Sequence, residues 1–242
     1  MDGTGVKAVL FDLDNTLIET SQASKEALRQ TSKLLKSTLA LDDTTVSRIC
    51  DKFLQKLYHE TFKLSGLWSI DEVRVGHWLE SIQEVVGSCP SPSLAADCYY
   101  LWKNSRLKAL HLSSEICDLL RQLRRRYKLL LLTNGETQTQ REKVVAVGCE
   151  KFFDAIVIGG EHPEQKPCVS IFRLCFNMLQ VEAQDCIMVG DSLDTDIQGG
   201  INAGVRATVW INRGGSVPDG SVKPDYTIPT VLDLPDILKQ LK

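Results

Sequence analysis

The chain lacks a charge excess of either sign: 28 basic residues against 31 acidic ones leave a formal net charge of −3 over 242 residues. Nucleic acid and anionic membrane surfaces are bound through a strong basic excess, so neither is expected as a partner. A local set of donors can still hold one small anion. No apolar run approaches the ~20 residues needed to cross a bilayer. The eight cysteines (50, 89, 98, 117, 149, 168, 175, 186) include no Cys-x-x-Cys pair, and the four histidines lack metal-ligand spacing. A disulfide framework and a zinc site are therefore not expected, and the thiols read as buried apolar groups in a reducing compartment. Met1-Asp2-Gly3-Thr4-Gly5 lacks the basic start and apolar stretch of a secretory signal, which makes the cytosol the expected location. There is no repeat, no low-complexity tract and no Gly-x-Gly-x-x-Gly following a strand. Nothing calls for an obligate protein partner.

What is present is an ordinary globular composition, 43% hydrophobic and 24% charged, in a chain long enough for a core domain plus a smaller one. Lys7–Asp12 is a short apolar run closed by an acid, as suits a buried parallel strand. From Glu19 to about Leu110 the apolar residues recur at helical spacing, as in Ile49, Phe53, Leu54 and Leu57. Turn-forming clusters at Leu41–Thr45, Leu64–Ser69 and Gly87–Pro92 divide this stretch into about four helices. The pattern then changes. A helix capped by Ser113 or Ser114 leads to strand 129–132, followed by helix 137–147, strand 155–158, helix 169–179, strand 186–189, helix 194–203 and strand 205–210. Arg213–Lys223 reads as a loop before a last strand and helix. The expected architecture is a doubly wound α/β core, residues 1–18 and 111–242, with an all-helical cap inserted at 19–110.

In such sheets a ligand sits beyond the carboxyl ends of the strands. That is where the polar residues collect. Strand one ends in Asp12-Leu13-Asp14-Asn15-Thr16 and strand two in Thr133-Asn134-Gly135. Lys166-Pro167 precedes a helix, and a later strand ends in Gly190-Asp191-Ser192-Leu193-Asp194-Thr195-Asp196. Each piece alone is weak, but four in this order form a strong signal. Asn15 suits a strained turn that asparagine tolerates, and Thr16 can fix the same turn. Arg124-Arg125-Arg126 reads as a solvated, dipole-matched helix end.

These motifs resemble those of the haloacid dehalogenase superfamily of phosphatases, with a helical cap between the first and second. The resemblance covers essentially the whole chain. It implies Asp12 as nucleophile and Asp14 as general acid/base. Thr133 and Lys166, with loop amides of Leu13, Asp14, Asn134 and Gly135, become phosphate ligands. It implies Mg²⁺ on the Asp12 side chain, the Asp14 carbonyl and Asp191, with Thr16 and Asp196 in support. The chemistry agrees. A carboxylate can attack phosphorus and split one hard displacement into two easier ones. Crowded carboxylates facing a phosphate suit a hard divalent cation with oxygen ligands. An alkoxide leaving group needs a proton, worth ~10²–10⁴-fold in rate, whereas a halide needs none; Asp14 therefore argues for a phosphatase over a dehalogenase.

Selectivity is expected from the cap. Arg74-x-x-His77-Trp78 and Trp102-Lys103-x-x-Arg106 each place cations beside aromatic rings, and Arg74, His77, Trp102 and Arg106 are the candidate substrate contacts. A closer resemblance within the family runs through Thr133–Arg141, Met188–Gly200, Ala207–Asn212 and the two cap segments. It implies a small phosphomonoester, a sugar-acid phosphate whose carboxylate would give the cap cations a purpose. A nucleotidase or phosphoglycolate-type phosphatase is the alternative on the same core, the nucleotidase being favoured if Trp78 or Trp102 can stack on a base. A phosphate-binding module without catalysis is the alternative from another class. The Asp12/Asp14 pair argues against it.

Overall fold

The computed structural model describes residues 5–60, 68–88, 91–214, 220 and 222–241. It divides the chain into two compact units, one from the start to Glu19 together with His111 onward, the other Thr20–Leu110.

The first unit is built on apolar strands too short and too continuous to be half-exposed. β1 (Ala8–Phe11) and β4 (Cys186–Gly190) are buried at every position, and β2 (Lys128–Thr133) at all but its first residue. Such strands need cover on both faces, which parallel crossovers supply. With β3 (Ala155–Ile158), β5 (Ala207–Ile211) and β6 (Tyr226–Ile228) they form one all-parallel sheet in the order β3-β2-β1-β4-β5-β6. The order reverses between β1 and β4, and a sheet of this kind opens a crevice at that reversal. On one face Ala8, Leu10, Leu130, Leu132 and Met188 pack against Ile171, Phe172 and Cys175 of α7 (Val169–Leu179).

The other helices of this unit are α5 (Ser114–Arg124), α6 (Thr137–Val147), α8 (Gln198–Ala203) and α9 (Leu234–Gln240). α5 starts where Ser113 accepts the Ile116 amide, and Glu136 caps α6 by accepting the amides of Gln138 and Thr139. The expected helix over 194–203 is instead a π-helical turn, Leu193–Ile197, running into α8. Such bulges gather at functional sites.

The second unit contains α1 (Thr20–Leu39), α2 (Asp43–Tyr58), α3 (Ile70–Val86) and α4 (Pro92–Ala109). Ala23, Ala27, Thr31 and Leu35 recur every four residues as the buried stripe of α1. A capping box between Ser69 and Glu72 begins α3, and Asp42 caps α2. The core is aromatic: Phe53 stacks on Trp78 at 4.1 Å and meets Trp102 edge-on at 5.2 Å. Such pairs contribute ~0.5–1.5 kcal/mol each beyond area burial.

Of the expected turns and loops, residues 64–67, 89–90, 215–219 and 221 lie outside the described residues. The seven described cysteines are all free, and five are buried. Cys168 corrects the expectation of buried thiols, being exposed just ahead of α7. No helix among the described residues is long and apolar enough to cross a membrane.

Candidate active site

The four polar motifs lie at one end of the sheet because each follows the carboxyl end of a strand or enters the next helix. Asp12 follows β1, and its amide donates to Val189 O of β4 at 2.9 Å, which seats it at the strand-order reversal. Lys166 Nζ donates to Asp12 Oδ1 (2.8 Å), Asp196 Oδ1 (2.6 Å) and Leu132 O (2.7 Å). Three acceptors for three ammonium hydrogens let a cation that is only 2% exposed be buried with every donor used. Thr16 Oγ1 donates to the other Asp12 oxygen at 3.2 Å. Asn15, at φ 57°, turns the chain so that this can happen.

Asn134 uses its side chain to hold Lys166 rather than to face a ligand. Its Nδ2 donates to Lys166 O at 2.8 Å and its Oδ1 accepts the Lys166 amide at 3.0 Å. The Gly135 amide donates to Gln165 Oε1 at 3.3 Å, so this expected phosphate donor is already engaged. Gly135 sits at φ +121°, and a Cβ there would come within 3.3 Å of the Gln140 side chain. The Leu13 amide, by contrast, donates to no described residue. Gly190 is needed for space: a Cβ would lie 2.2 Å from Asp196 Oδ2.

Oxygens of Asp12, Asp191 and Asp196 fall within 4.8 Å of one another. Asp12 and Asp196 share one ammonium, and Asp191 adds a third carboxylate beside them. Burial, reinforced by the Asp196 and Asp14 charges and opposed by Lys166, pushes the Asp12 carboxyl up to about 7. Burial and then the Asp12 charge push Asp191 up to about 6. Burial alone would depress the Lys166 ammonium, but Asp12 and Asp196 outweigh it and hold it above the usual lysine range. The site thus carries uncompensated negative charge that a divalent cation would relieve, and the oxygen donors fit a hard one. Asp196 is the weakest of the three as a ligand. One of its oxygens accepts from Lys166 and the other from the Ser192 amide at 3.0 Å, which places it behind Lys166. Asp191 is better placed, with its carbonyl anchored by the Trp210 indole at 2.8 Å.

Sequence reasoning missed two residues of α6. Gln140 Nε2 donates to Thr133 Oγ1 (2.6 Å), Asn134 O (2.7 Å) and Asp14 Oδ2 (3.0 Å). Lys143 Nζ donates to both Asp14 oxygens, at 2.8 and 2.7 Å. Gln140 and Lys143 share the inward face of α6 with Val144, and the one trace of this in the sequence is that the helix is entered directly from a motif. Arg213, also missed, reaches Thr16 O at 3.5 Å and pairs with Glu19.

Residues 6–204 match the model of the haloacid dehalogenase-like hydrolases. The chain belongs to that family. It is 48% identical to N-acylneuraminate-9-phosphatase of Homo sapiens and of Rattus norvegicus, over 98% of this chain and 95% of each relative. Against a glyceraldehyde 3-phosphate phosphatase of Methanopyrus kandleri it is 30% identical over 98% of both chains. Among solved structures it resembles YfnB, a HAD hydrolase of Bacillus subtilis bound to magnesium, with a TM-score of 0.71 and 25% identity over 97% of this chain and 99% of the other. These similarities make this HAD-family enzyme a phosphatase.

In the helical unit the expected substrate contacts need correction. Arg74, only 7% exposed, donates its Nη2 to Glu60 Oε2 at 2.9 Å and its Nε to both Glu60 oxygens at 3.3 Å. Its charge is matched inside the unit. His77 Nε2 lies 3.4 Å from Glu60 Oε1 without hydrogen-bond alignment. Trp102 belongs to the aromatic core, as does Trp78, so neither offers a face for a base. Arg106 lies over the Trp102 ring at 5.2 Å and is half-buried.

Proposed function

We propose that this phosphatase is a magnesium-dependent cytosolic enzyme that moves the phosphoryl group of N-acylneuraminate 9-phosphate onto Asp12 and then onto water, releasing a free sialic acid. The observation that carries the chemistry is Asp12, a buried carboxylate at the strand-order reversal beside one cation and two further acids. The observation that carries the substrate is the 48% identity over nearly the whole chain to enzymes named for it.

The Asp12 carboxylate attacks phosphorus while the ester P–O bond breaks, and Asp14 gives its proton to the departing alkoxide. Asp14 then takes a proton from water, whose oxygen attacks the phosphorus of the aspartyl-phosphate; the bond to Asp12 breaks and inorganic phosphate leaves. The Leu13 and Asp14 amides bind the equatorial oxygens, and Lys166 supplies positive charge beside them, turning to a phosphoryl oxygen the hydrogen it gives to Asp12 as that carboxylate attacks. Thr133 joins them: its oxygen accepts from Gln140, and its hydroxyl hydrogen, which makes only a long 3.5 Å contact with Asn134 O, can turn to a ligand. The Asp12 and Asp191 side chains and the Asp14 carbonyl would hold magnesium, which offsets the charge between carboxylate and phosphoryl group. Thr16 and Asp196 orient Asp12 and Lys166. The helical unit supplies selectivity. Within it Arg106, held over the Trp102 ring, is the residue proposed to meet the substrate carboxylate.

The test is phosphate release from a panel containing N-acetylneuraminate 9-phosphate, glyceraldehyde 3-phosphate, phosphoglycolate, hexose 6-phosphates and nucleoside monophosphates, with Mg²⁺. The first should exceed the others in kcat/KM by at least about tenfold, the equivalent of ~1.4 kcal/mol. A different best substrate would overturn the substrate reading and leave the core chemistry standing.

A further inference from the structure

Asp14 is held by α6. The Lys143 ammonium reaches both Asp14 oxygens, and Gln140, one turn earlier on the same face, donates to one of them. Lys143 is 5% exposed, whereas the Asp14 side chain is about a quarter exposed. Burying an ammonium beside a partner still open to solvent is a costly way to fasten a helix to a loop, and an apolar contact would serve as well.

Two features of the arrangement give it a purpose. Contact of one ammonium with both oxygens fixes the direction in which the carboxylate points, which a single hydrogen bond to one oxygen leaves open. The Gln140 amide also donates to Thr133 Oγ1 and Asn134 O, and its NH₂ group has two hydrogens for these three acceptors. Its bond to Asp14 is the longest of the three. Once Asp14 Oδ2 carries the proton it gives up its contacts with Gln140 and Lys143 and turns toward a substrate oxygen, while Gln140 keeps Thr133 and Asn134 in place and Lys143 holds Oδ1.

We propose that Lys143, backed by Gln140, is the positioning residue for proton transfer: it aims the Asp14 carboxyl at the leaving-group oxygen during phosphoryl transfer to Asp12. Lys143 acts through Asp14. The inference rests on Asp14 being the general acid.

The experiment compares two leaving groups. Departure of an alkoxide from N-acetylneuraminate 9-phosphate needs a delivered proton, while dinitrophenolate departs from 2,4-dinitrophenyl phosphate without one. kcat/KM runs only as far as loss of the leaving group, so it isolates that step. Lys143→Met should lower kcat/KM for the sugar-acid phosphate by ~10-fold or more, a part of the ~10²–10⁴-fold a positioned acid supplies, and change the aryl phosphate by less than about threefold. Lys143→Arg should recover most of the loss. Should Lys143→Met not fold, as judged by circular dichroism and Tm, Lys143→Gln is read in the same way. Equal losses on both substrates, or no loss on either, would overturn the proposal. Asp14→Asn is measured alongside. If it fails to separate the two leaving groups, the general-acid reading of Asp14 falls; if it separates them and the Lys143 variants do not, only the positioning role falls.

Discussion

Both units of the chain bury charge, but they resolve it differently. In the helical unit the charges cancel in pairs: Arg74 with Glu60, and Lys103 with Asp71, which also accepts from the Tyr99 hydroxyl. Burial alone would raise the Glu60 carboxyl, yet His77 and Arg74 outweigh it and hold it below its usual range. At the end of the sheet Asp12 and Asp196 share Lys166 with Asp191 close beside them, and Asp12 and Asp191 are pushed well above the usual carboxylate range. Matched charge fastens helices together. Unmatched charge is strain that a cation and a phosphoryl group can relieve, and such strain gathers where chemistry is done.

The sharpest way to break this comparison is to remove one charge from each side. Asp12→Asn should lower turnover by on the order of 10⁴-fold or more, as loss of a nucleophile does. It should also raise the Tm of the metal-free protein, because it removes a repelled, buried carboxylate and keeps its shape. Steady-state activity above contamination, or a clear drop in metal-free Tm, would count against the site as drawn. Arg74→Ala should do the reverse. It leaves the buried Glu60 carboxylate with His77 as its remaining neighbour of opposite sign, which costs up to about 3–5 kcal/mol in stability, while substrate preference is unchanged. The check is denaturant unfolding together with relative kcat/KM on two substrates.

That pair of variants also marks where the sequence was legible. The strands could be read because buried parallel strands are continuous apolar runs, and the motifs because they sit where those runs stop. Asp12, Thr133, Lys166 and Asp191 therefore appear together in the sequence reading and in the structure. The pairing of Arg74 was hidden because its partner, Glu60, lies 14 residues away beyond the end of α2, and no helical spacing links them. Trp102 was read from its neighbours Lys103 and Arg106, but packing on Phe53 decides its place. Lys143 was missed for the opposite reason: a lysine on a helix is ordinarily solvated, and only the fold brings it to Asp14 across 129 residues of sequence.

A middle-sized effect is expected from Arg106→Ala. A charge-assisted contact to a substrate carboxylate contributes about 1.5–3 kcal/mol, which is ~10–100-fold in kcat/KM. The loss should fall on N-acetylneuraminate 9-phosphate and spare a generic aryl phosphate. Losing the cation–π contact with Trp102 should cost only ~0.5–1 kcal/mol of stability. Equal losses on both substrates would move Arg106 to the structural side of the comparison with Arg74.

The smallest effect concerns stability against pH, and its sign separates the two units. Asp12 and Asp191 ionise at an ordinary 3.8 when unfolded and at about 7 and 6 when folded. Between pH 4 and 7 the folded state thus binds more protons than the unfolded one, so stability falls as pH rises through that window. The Lys166 contribution is fully present below 10.5 and constant there, since its folded value is raised. Carboxylates held low, Glu60 among them, lose their contribution only as pH falls below about 4.5, outside the range tested. In excess chelator the Tm should therefore drop between pH 5 and pH 8, by about 2–4 °C for each ~1 kcal/mol lost in a chain of this size. Added Mg²⁺ should raise Tm more at pH 8 than at pH 5, because the ion competes with protons for the same carboxylates. Scanning fluorimetry on the wild type and Asp12→Asn decides the matter: the variant should show a flatter slope. A metal-free Tm that climbs from pH 5 to pH 8, or the same slope in both proteins, would mean that the acids at the end of the sheet are no less matched than those of the helical unit.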